Sequence, residues 1–414
     1  MHSPRPTTPH AWLRALADDS AFDEHEARSP SPHLARYGIA PQDDDGIVAA
    51  TVNIGGRVFE AVAQDAQFLR GSVGERHGAK LAAAIARARS SRRPLLVLAA
   101  SGGVRLHEAN AGELALARAL RALVDARAEG IATLAIGIGD VFGGMSVVVT
   151  ACDALALLPG TRFGLSGPRV IALAQGGATA AGAHEERASL DAVFGAAARA
   201  KAAFADALDD DVHAMRAWIG RRLAPPAFAA SVLAAQARLA SATGGAAANV
   251  AVTRDGARAT LAAFARSVDA ASLVGVDAAL LALPHGVRTL LIVEDSRGHD
   301  ASIAAERIGV SRYFAHHACV LGLLRARGMA LIGVVDGVGH SAAFFANALQ
   351  ADRVYALPGS RVVAMEPRAL ARVTGMDAAM LARAIDDDPL LGHPARHLAA
   401  LGGLTLVETI DAAR

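Results

Sequence analysis

The first half of the chain alternates short apolar runs with longer amphipathic stretches. The run 94–99 is continuously apolar over the length of a strand, and Ser101-Gly102-Gly103 ends it. Over 108–129 apolar residues return at helical spacing, and a second apolar run covers 131–138. A strand, a loop, a helix and a second strand in this order predict a βαβ crossover with parallel strands. The pattern therefore predicts an α/β fold.

Three neighbouring segments extend this predicted unit. Residues 46–63 alternate in polarity enough to form a hairpin ahead of the first strand. Gly143-Gly144 opens a further apolar segment, 145–151, which we interpret as a buried helix entered through glycines. A short strand over 155–158 follows and leads to another turn.

A sequence repeat indicates that the same fold is used twice. The segment 152–162 ends in Leu-Pro-Gly-Thr-Arg, and the segment 351–361 ends in Leu-Pro-Gly-Ser-Arg. Upstream of the second segment, the strand, helix, strand and helix of the first copy recur in the same order, over 289–293, 313–327, 330–335 and 341–349.

Alanine dominates the stretch between the two copies. It predicts helices over 196–208 and 229–239, with the join between 223 and 252. We therefore predict a helical or loosely ordered lead-in over 1–31. A first domain over 32–240 and a second over 241–414 follow it.

Charge and composition restrict the class of protein. Lys and Arg number 41 against 40 Asp and Glu, which gives no reason to expect a nucleic-acid groove or an anionic membrane surface. Mean hydropathy is +0.31, yet no stretch of about 20 residues is apolar enough to span a membrane, and the first residues lack the apolar core of a signal peptide. The expected location is the cytoplasm. Cys152 and Cys319 are far apart, which excludes a zinc ribbon, an iron–sulfur cluster and a disulfide framework.

Glycines at two strand-to-helix junctions are the main chemical signal. They are Gly102 and Gly103 after the first strand, and Gly143 and Gly144 after the second. Backbone N–H groups lack intrahelical partners where a helix begins, and glycine lets a substrate approach them closely. Two such junctions could meet at one oxygen atom. The alternative is that these glycines only form tight turns.

Ionisable groups among glycines form a second candidate cluster over 71–80. Ser72 followed by Glu75 also fits a capping box at the start of a helix, and a lone histidine such as His77 is more often structural. Glu75, His77 and Lys80 nevertheless remain candidates for anion contact or proton transfer.

A third cluster, 164–168, places the hydroxyl of Ser166 in a rigid turn near the end of the predicted sheet. Its counterpart in the second copy, Met365-Glu366-Pro367, lacks the glycines. His299 and Asp300 lack the further carboxylates that a cation would need, and the adjacent His316 and His317 point to different faces of a helix. We therefore expect no metal site.

The motifs resemble the beta subunit of biotin-independent malonate decarboxylase over about 32–222. The matching segments are Phe68-Leu69-Arg70-Gly71-Ser72-Val73-Gly74-Glu75-x-His77-Gly78-Ala79-Lys80, Ser101-Gly102-Gly103-Val104-Arg105-Leu106-x-Glu108-Ala109-Asn110-Ala111-Gly112-Glu113, Phe142-Gly143-Gly144-Met145 and Gly164-Leu165-Ser166-Gly167-Pro168. The second half is similar, more weakly, to the gamma subunit, through Ser341-Ala342-Ala343-Phe344, Leu349-Gln350-Ala351-Asp352-Arg353 and Ala371-Arg372-Val373-Thr374.

This resemblance implies two crotonase-like domains in tandem, each a spiral of ββα units, arranged as a pseudo-dimer of the carboxyltransferase type. It implies a lyase that decarboxylates a malonyl thioester to the acetyl thioester. The substrate would sit on an acyl-carrier subunit, through a phosphoribosyl-dephospho-CoA arm, and a transferase subunit would exchange acetyl for malonate. A homo-oligomer fits this family too. The chain itself would bind no biotin and no metal.

Decarboxylation places negative charge on the thioester oxygen, so donors aimed at that oxygen stabilise the transition state. Backbone N–H groups of Gly102, Gly103, Val104, Gly143 and Gly144 are the expected donors. The departing carboxylate needs a dry pocket, which Leu165 and apolar residues of the second copy could supply. The expected substrate contacts are Gly71, Ser72, Glu75, His77, Leu165, Gly167, Ser341 and Ala342.

The final proton to the acetyl carbon could come from Ser166, His77, Glu75 or a bound water, and we favour water or Ser166. Three other functions remain open. They are the carboxyltransferase component of a biotin-dependent acyl-CoA carboxylase, an enoyl-CoA hydratase or isomerase, and a non-catalytic scaffold subunit of the decarboxylase. A hydratase should show a pair of carboxylates beside the donors, and the sequence alone reveals none.

Overall fold

The computed structural model describes residues 5–168, 170–171, 183–244 and 251–413. The segment 172–182 and part of the predicted join, 245–250, lie outside the described residues. None of the described helices is long and apolar enough to cross a lipid bilayer.

The first half is built on one sheet of seven strands in the order in which they occur in the chain. Its strands are β1 (Phe22–His25), β2 (Ile47–Ile54), β3 (Arg57–Gln64), β4 (Leu95–Ser101), β5 (Thr133–Val141), β6 (Ala154–Leu157) and β7 (Asp206–Ala207). Its helices are α1 (Pro9–Leu16), α2 (Glu75–Ser91), α3 (Ala109–Ala128), α4 (Gly144–Thr150), α5 (Ala183–Phe194), α6 (Ala196–Lys201), α7 (Val212–Arg221) and α8 (Phe228–Ala242). Short 3₁₀ turns occupy Leu34–Tyr37, Leu69–Gly71 and Leu106–Glu108.

The predicted hairpin and the predicted crossover are both present. Strands β2 and β3 pair antiparallel around Gly55-Gly56, and β3 to β7 are all parallel. The lead-in also contributes β1, which pairs antiparallel with β2. Along β4, Leu95 and Val97 face one hydrophobic cluster and Leu96 and Leu98 face another. Burial on both faces explains why this strand is apolar at every position.

The second half repeats this plan on a six-stranded sheet with a separate two-stranded one. Its strands are β8 (Val252–Asp255), β9 (Arg258–Leu261), β10 (Thr289–Glu294), β11 (Ala330–Val335), β12 (Val338–His340), β13 (Arg353–Ala356), β14 (Arg361–Val363) and β15 (Thr405–Leu406). Its helices are α9 (Ala270–Leu281), α10 (Ile303–Arg307), α11 (Ser311–Ala326), α12 (Ser341–Phe345), α13 (Pro367–Thr374), α14 (Ala378–Asp387), α15 (Ala395–Ala400) and α16 (Ile410–Ala413), with a 3₁₀ turn at Ala348–Gln350.

The two halves pack together through equivalent helices. Helix α3 of the first half lies against α11 of the second, where a side chain at Gly322 would collide with Val124. Leu120 and Val320 belong to one hydrophobic core that continues from one half into the other. The predicted α/β class and the use of one plan in both halves are confirmed.

Two predicted helices are shorter than the sequence pattern indicated. The segment 196–208 is helical only to Lys201, because Ala203 takes a positive φ of 55° and the chain then enters β7. The segment 341–349 is helical only to Phe345, since Asn347 leaves helical geometry and uses its side chain amide in bonds to Glu294 and His317. Alanine content and apolar spacing do not reveal either interruption.

Candidate functional site

The two glycine corners meet at one edge of the first sheet. Strands β4 and β5 are parallel neighbours, so the loops that follow them leave the sheet on the same side. A Cβ atom built on Gly143 would lie 2.8 Å from the Cα of Gly103, and Gly103 and Gly143 have positive φ values of 97° and 64°. Both positions therefore need glycine for conformation and for close approach. This contact brings the two predicted corners together.

Three of the five expected N–H donors are already engaged within the protein. Gly102 donates to the carbonyl oxygen of Arg70 at 2.7 Å, and Gly143 donates to that of Leu165 at 3.0 Å. Gly103 donates to the hydroxyl of Ser101 at 3.2 Å.

Among the described residues, the N–H groups of Val104 and Gly144 have no hydrogen-bond acceptor. Gly144 is the first residue of α4, where no intrahelical partner exists, and Val104 follows the first corner directly. Both residues line the same cavity. The candidate donor pair is therefore reduced to Val104 and Gly144.

The cavity in front of the corners has a volume of about 680 Å³ and lies between the two halves. The first half contributes Ser72, Gly102, Gly103, Val104, Glu113, Leu116, Phe142, Gly143, Gly144, Leu165, Ser166 and Gly167, among others. The second half contributes His299, Ser341, Ala342, Phe345, Ala364 and Met365. A volume in this range suits a small molecule or the reactive end of a larger one.

One buried carboxyl group lies in this cavity. Glu113 belongs to α3, is 3% exposed, and its Oε2 atom has no hydrogen-bond partner among the described residues. Burial, with a smaller contribution from the nearby carboxyl of Glu294, raises the pKa of Glu113 to about 8. Near neutral pH this group is therefore mostly a neutral acid.

The turn over 164–167 is held by a carboxylate from the second half. Oε1 of Glu306 accepts the N–H of Ser166 at 2.6 Å and that of Leu165 at 3.0 Å, and its Oε2 lies 3.3 Å from the buried guanidinium of Arg199. Burial raises the pKa of Glu306 to about 7, although Ser166 and Arg199 oppose the shift. The position of the Ser166 hydroxyl thus depends on contact between the halves.

A histidine from the second half meets the Ser166 hydroxyl. The Oγ atom of Ser166 lies 2.8 Å from Nε2 of His299, and Nδ1 of His299 has no partner among the described residues. Burial lowers the pKa of His299 to about 4, so the ring is neutral near pH 7. A neutral imidazole can accept the hydroxyl proton but carries no charge for an anionic substrate.

The structure does not bring Glu75 and His77 to this cavity. Glu75 pairs with His33 at 2.7 Å, and its N–H donates to Oε2 of Glu108, at 2.8 Å. The carboxylate of Glu108 therefore accepts a hydrogen bond from the first N–H group of helix α2. The predicted capping box from Ser72 does not form, because Gly74 is the N-cap residue. His77 lies in the core, where Nε2 is 2.9 Å from the Gln64 amide nitrogen and burial lowers its pKa to about 3.

The remaining residues of the second cluster have mainly structural positions. Gly71 has a φ of 65° and packs so tightly on Ala100 that no side chain fits there. Lys80 donates to the carbonyl oxygen of Asp44, at 3.2 Å. Within the part of the chain that the structure describes, no group of three or more His, Cys, Asp and Glu side chains is arranged to hold a metal ion.

Sequence reasoning missed Glu113, His299 and Glu306. Glu113 carried a detectable signal, because it shares one helix face with the apolar Leu116 and Leu120, where a charged residue is unexpected. His299 and Glu306 carried none, since each meets its partner across more than a hundred residues of sequence.

Two protein families match separate parts of this chain. The carboxyl transferase domain family matches residues 12–203, and the malonate decarboxylase gamma subunit family matches residues 268–413. These matches confirm the resemblance drawn from the motifs.

Two curated relatives match the first half. Malonyl-S-ACP:biotin-protein carboxyltransferase MADC of Malonomonas rubra is 37% identical over 158 residues, which are 34% of this chain and 49% of the relative. Acetyl-coenzyme A carboxylase carboxyl transferase subunit beta 1 of Roseiflexus sp. strain RS-1 is 29% identical over 180 residues, 40% of this chain and 59% of the relative. The chain thus spans about half the length of these relatives.

A solved structure shows a related protein with a partner. A Pseudomonas malonate decarboxylase hetero-tetramer in complex with malonate is 34% identical, with a TM-score of 0.49. The match covers 53% of this chain and 83% of that one.

Proposed function

We propose that the chain, whose two halves match the carboxyl transferase domain family and the malonate decarboxylase gamma subunit family, decarboxylates a malonyl thioester held on an acyl-carrier partner. The observation that supports this proposal most directly is the contact between Gly103 and Gly143, because it brings two unengaged amides to one cavity. We also propose that the boundary between the two domains lies at residue 240.

In the proposed reaction the thioester oxygen accepts hydrogen bonds from the N–H groups of Val104 and Gly144. When carbon dioxide leaves, the electron pair of the broken bond moves toward this oxygen and forms an enolate. The two amides then interact with a full negative charge instead of a carbonyl dipole, so they stabilise the transition state more than the ground state. Loss of one such donor typically costs about 2.7–4 kcal/mol.

The carboxylate that departs should lie among weakly interacting groups, because a strong ion pair would stabilise the reactant. Leu165, Ala342 and Phe345 provide apolar surface on the cavity wall. The neutral His299 and the hydroxyl groups of Ser72, Ser166 and Ser341 can orient the substrate without holding its charge. We propose Gly167 as a backbone contact of the same wall.

The proposed partners are an acyl-carrier subunit, which brings malonate on a phosphoribosyl-dephospho-CoA arm, and a transferase subunit that reloads it. The chain would act without biotin and without a metal ion. The mouth of the cavity carries Arg70 and the ion pair of Asp140 with Arg162, at 2.6 Å. These charged side chains are suitably placed to meet the polar arm of a thioester.

The test uses the purified chain with carrier loaded with malonate, followed by mass spectrometry of the thioester. Conversion of malonyl to acetyl thioester without biotin is the expected result. The measurement is repeated with a biotin-carrying protein and with each partner subunit. If no combination yields acetyl thioester, the chain is a scaffold and the proposal is wrong.

A second candidate function is carboxyl transfer from the malonyl thioester to biotin. It is favoured by the similarity to the Malonomonas relative, whose name specifies that transfer. Both reactions pass through the same enolate, so the same donors serve both. They differ in the acceptor: carboxyl transfer produces acetyl thioester only when the biotin protein is present, whereas decarboxylation does not depend on it.

A further inference from the structure

The cavity contains one acid that the proposed reaction has not yet used. Glu113 lines the cavity, is almost completely buried, and leaves Oε2 without a partner among the described residues. An unpaired carboxyl oxygen in a buried place is costly unless the group is neutral or meets a ligand. This cost suggests that the position is functional.

The part of α3 that carries Glu113 packs on both residues that carry the candidate donors. The residue before it, Gly112, packs on Val104, whose side chain would lie 3.2 Å from a Cβ built on that glycine. One helical turn after it, Leu116 packs on Gly144, at 3.1 Å from a Cβ built there. Residues on both sides of Glu113 in α3 thus pack on the two residues that carry the candidate donors, and Glu113 lines the same cavity as both.

A second buried carboxyl group stands behind Glu113. Glu294 ends β10 of the second half, is 1% exposed, and its Oε1 atom also lacks a partner among the described residues. Its Oε2 accepts the side chain N–H of Asn347 at 2.8 Å, and the oxygen of that amide lies 3.1 Å from Nε2 of His317. His317 in turn bonds to Asp277 through Nδ1 at 2.6 Å.

The Glu294 carboxyl disfavours ionisation of Glu113. Burial raises the pKa of Glu294 itself to about 8, against the hydrogen bond from the side chain of Asn347. A negative charge on Glu294 also raises the pKa of Glu113. Two neighbouring buried carboxyls thus retain protons near neutral pH.

We propose that Glu113 is the acid that delivers the proton to the methylene carbon once carbon dioxide has left. The inference deepens the proposed function and rests on it. It assigns the one step for which the sequence left several donors open.

Atoms and electrons are conserved in the proposed decarboxylation and proton transfer. The bond between the carboxylate carbon and the methylene carbon breaks, and its electron pair enters the enolate. The O–H bond of Glu113 then breaks, a C–H bond forms at the former methylene, and Glu113 remains as a carboxylate. Water regains access when the acetyl thioester leaves and restores the proton, so each turnover consumes one proton from solvent.

Ser166, favoured on sequence grounds, is less suited to this step. Its hydroxyl is a far weaker acid than a carboxyl group, and giving up the proton would leave an alkoxide. The neighbouring His299 is neutral and offers no positive charge to stabilise that alkoxide. The geometry therefore leaves Ser166 a positioning role.

The test exploits the reverse of the proton transfer. The acetyl thioester of phosphoribosyl-dephospho-CoA is incubated with the whole chain in deuterium oxide, and mass spectrometry follows entry of deuterium into the methyl group. The incubation is run near pH 8, where part of Glu113 is ionised, so that its carboxylate removes a methyl proton, exchanges it with solvent and returns a deuteron. Glu113→Gln keeps the shape of the neutral acid, and we expect it to reduce both exchange and decarboxylation by about 10²- to 10⁴-fold.

Three further variants separate this role from a structural one. Glu113→Asp keeps an acid and should recover part of the exchange. Glu129→Gln, at the exposed end of the same helix, should behave as wild type. Ser166→Ala removes a hydroxyl that orients the substrate, so it should slow exchange, but much less than Glu113→Gln does. Circular dichroism and a thermal melt verify that each variant is folded.

The outcomes distinguish the two proposals. Decarboxylation by the wild type together with normal exchange in a folded Glu113→Gln variant overturns the role of Glu113 and leaves the proposed function standing. Loss of exchange in Ser166→Ala but not in Glu113→Gln transfers the role to Ser166. A wild-type chain that neither decarboxylates nor exchanges overturns both.

Discussion

Replacing Gly143 by alanine tests the contact on which the proposed donor pair depends. The new Cβ would lie 2.8 Å from the Cα of Gly103, a backbone atom that cannot rotate away. Residue 143 also has a φ of 64°, a conformation that L side chains rarely adopt. The two corners must therefore move apart, and Gly144 moves with its neighbour.

The expected magnitudes follow from these two effects. At φ 64° and ψ −150°, a region essentially restricted to glycine, a side chain costs about 1–3 kcal/mol, and crowding in a packed region adds about 1–3 kcal/mol. For the reaction, displacement of one donor from the thioester oxygen should lower kcat by about 10²- to 10³-fold. The loss of rate should therefore exceed what a partly destabilised but folded enzyme would show.

The assay measures release of carbon dioxide from the malonyl-loaded carrier, together with urea denaturation of the same preparation. Gly160→Ala is the matched control, because Gly160 has a φ of 78° and no atom lies within 4 Å of a Cβ built there. The control should lose about 1–2 kcal/mol of stability and keep its rate. A folded Gly143→Ala enzyme with wild-type turnover, or a control that loses as much, would refute the reasoning.

Two more predictions concern stability. Glu306→Ala leaves the buried Arg199 without its carboxylate and should lower the free energy of unfolding in urea by about 3–5 kcal/mol. Glu129→Ala, which breaks the exposed pair with Arg89, should cost under about 1 kcal/mol, and equal losses in the two variants would contradict the assignment. The raised pKa of Glu113, about 8 against 4.5, means that the folded state keeps a proton that the unfolded chain releases. Its contribution to stability is complete below pH 4.5 and is lost as pH rises toward 8. The stability of Glu113→Gln relative to wild type should therefore increase over this interval in denaturation curves recorded at each pH, and a constant difference would show that Glu113 titrates normally.

Local patterns in the sequence were sufficient for most of the secondary structure. The apolar run of β4 and the helical spacing of α3 depend on neighbours a few residues away, so they are visible without knowledge of the fold. The interruption at Asn347 was not visible, because its side chain donates to the distant Glu294. The repeat around Leu-Pro-Gly likewise revealed two similar halves but not how they pack.

Some features of the candidate site could likewise be recognised from sequence, and others could not. Glycine at 103 and 143 could be recognised from sequence, because a turn after a buried strand restricts the residue types that fit. Which amides stay unengaged could not be recognised, since the acceptors at Arg70 and Leu165 come from other loops.

The α/β class, the duplication and the glycine corners could all be predicted, because each depends on spacing along the chain. The folded molecule was needed to show that Glu113 and His299 share a cavity with those corners and that Glu75 and His77 do not. Burial and partners across the two halves set the protonation of these groups, and both are properties of the packed molecule. The sequence pattern therefore identifies the glycine corners of the site, and packing determines the protonation of the side chains around them.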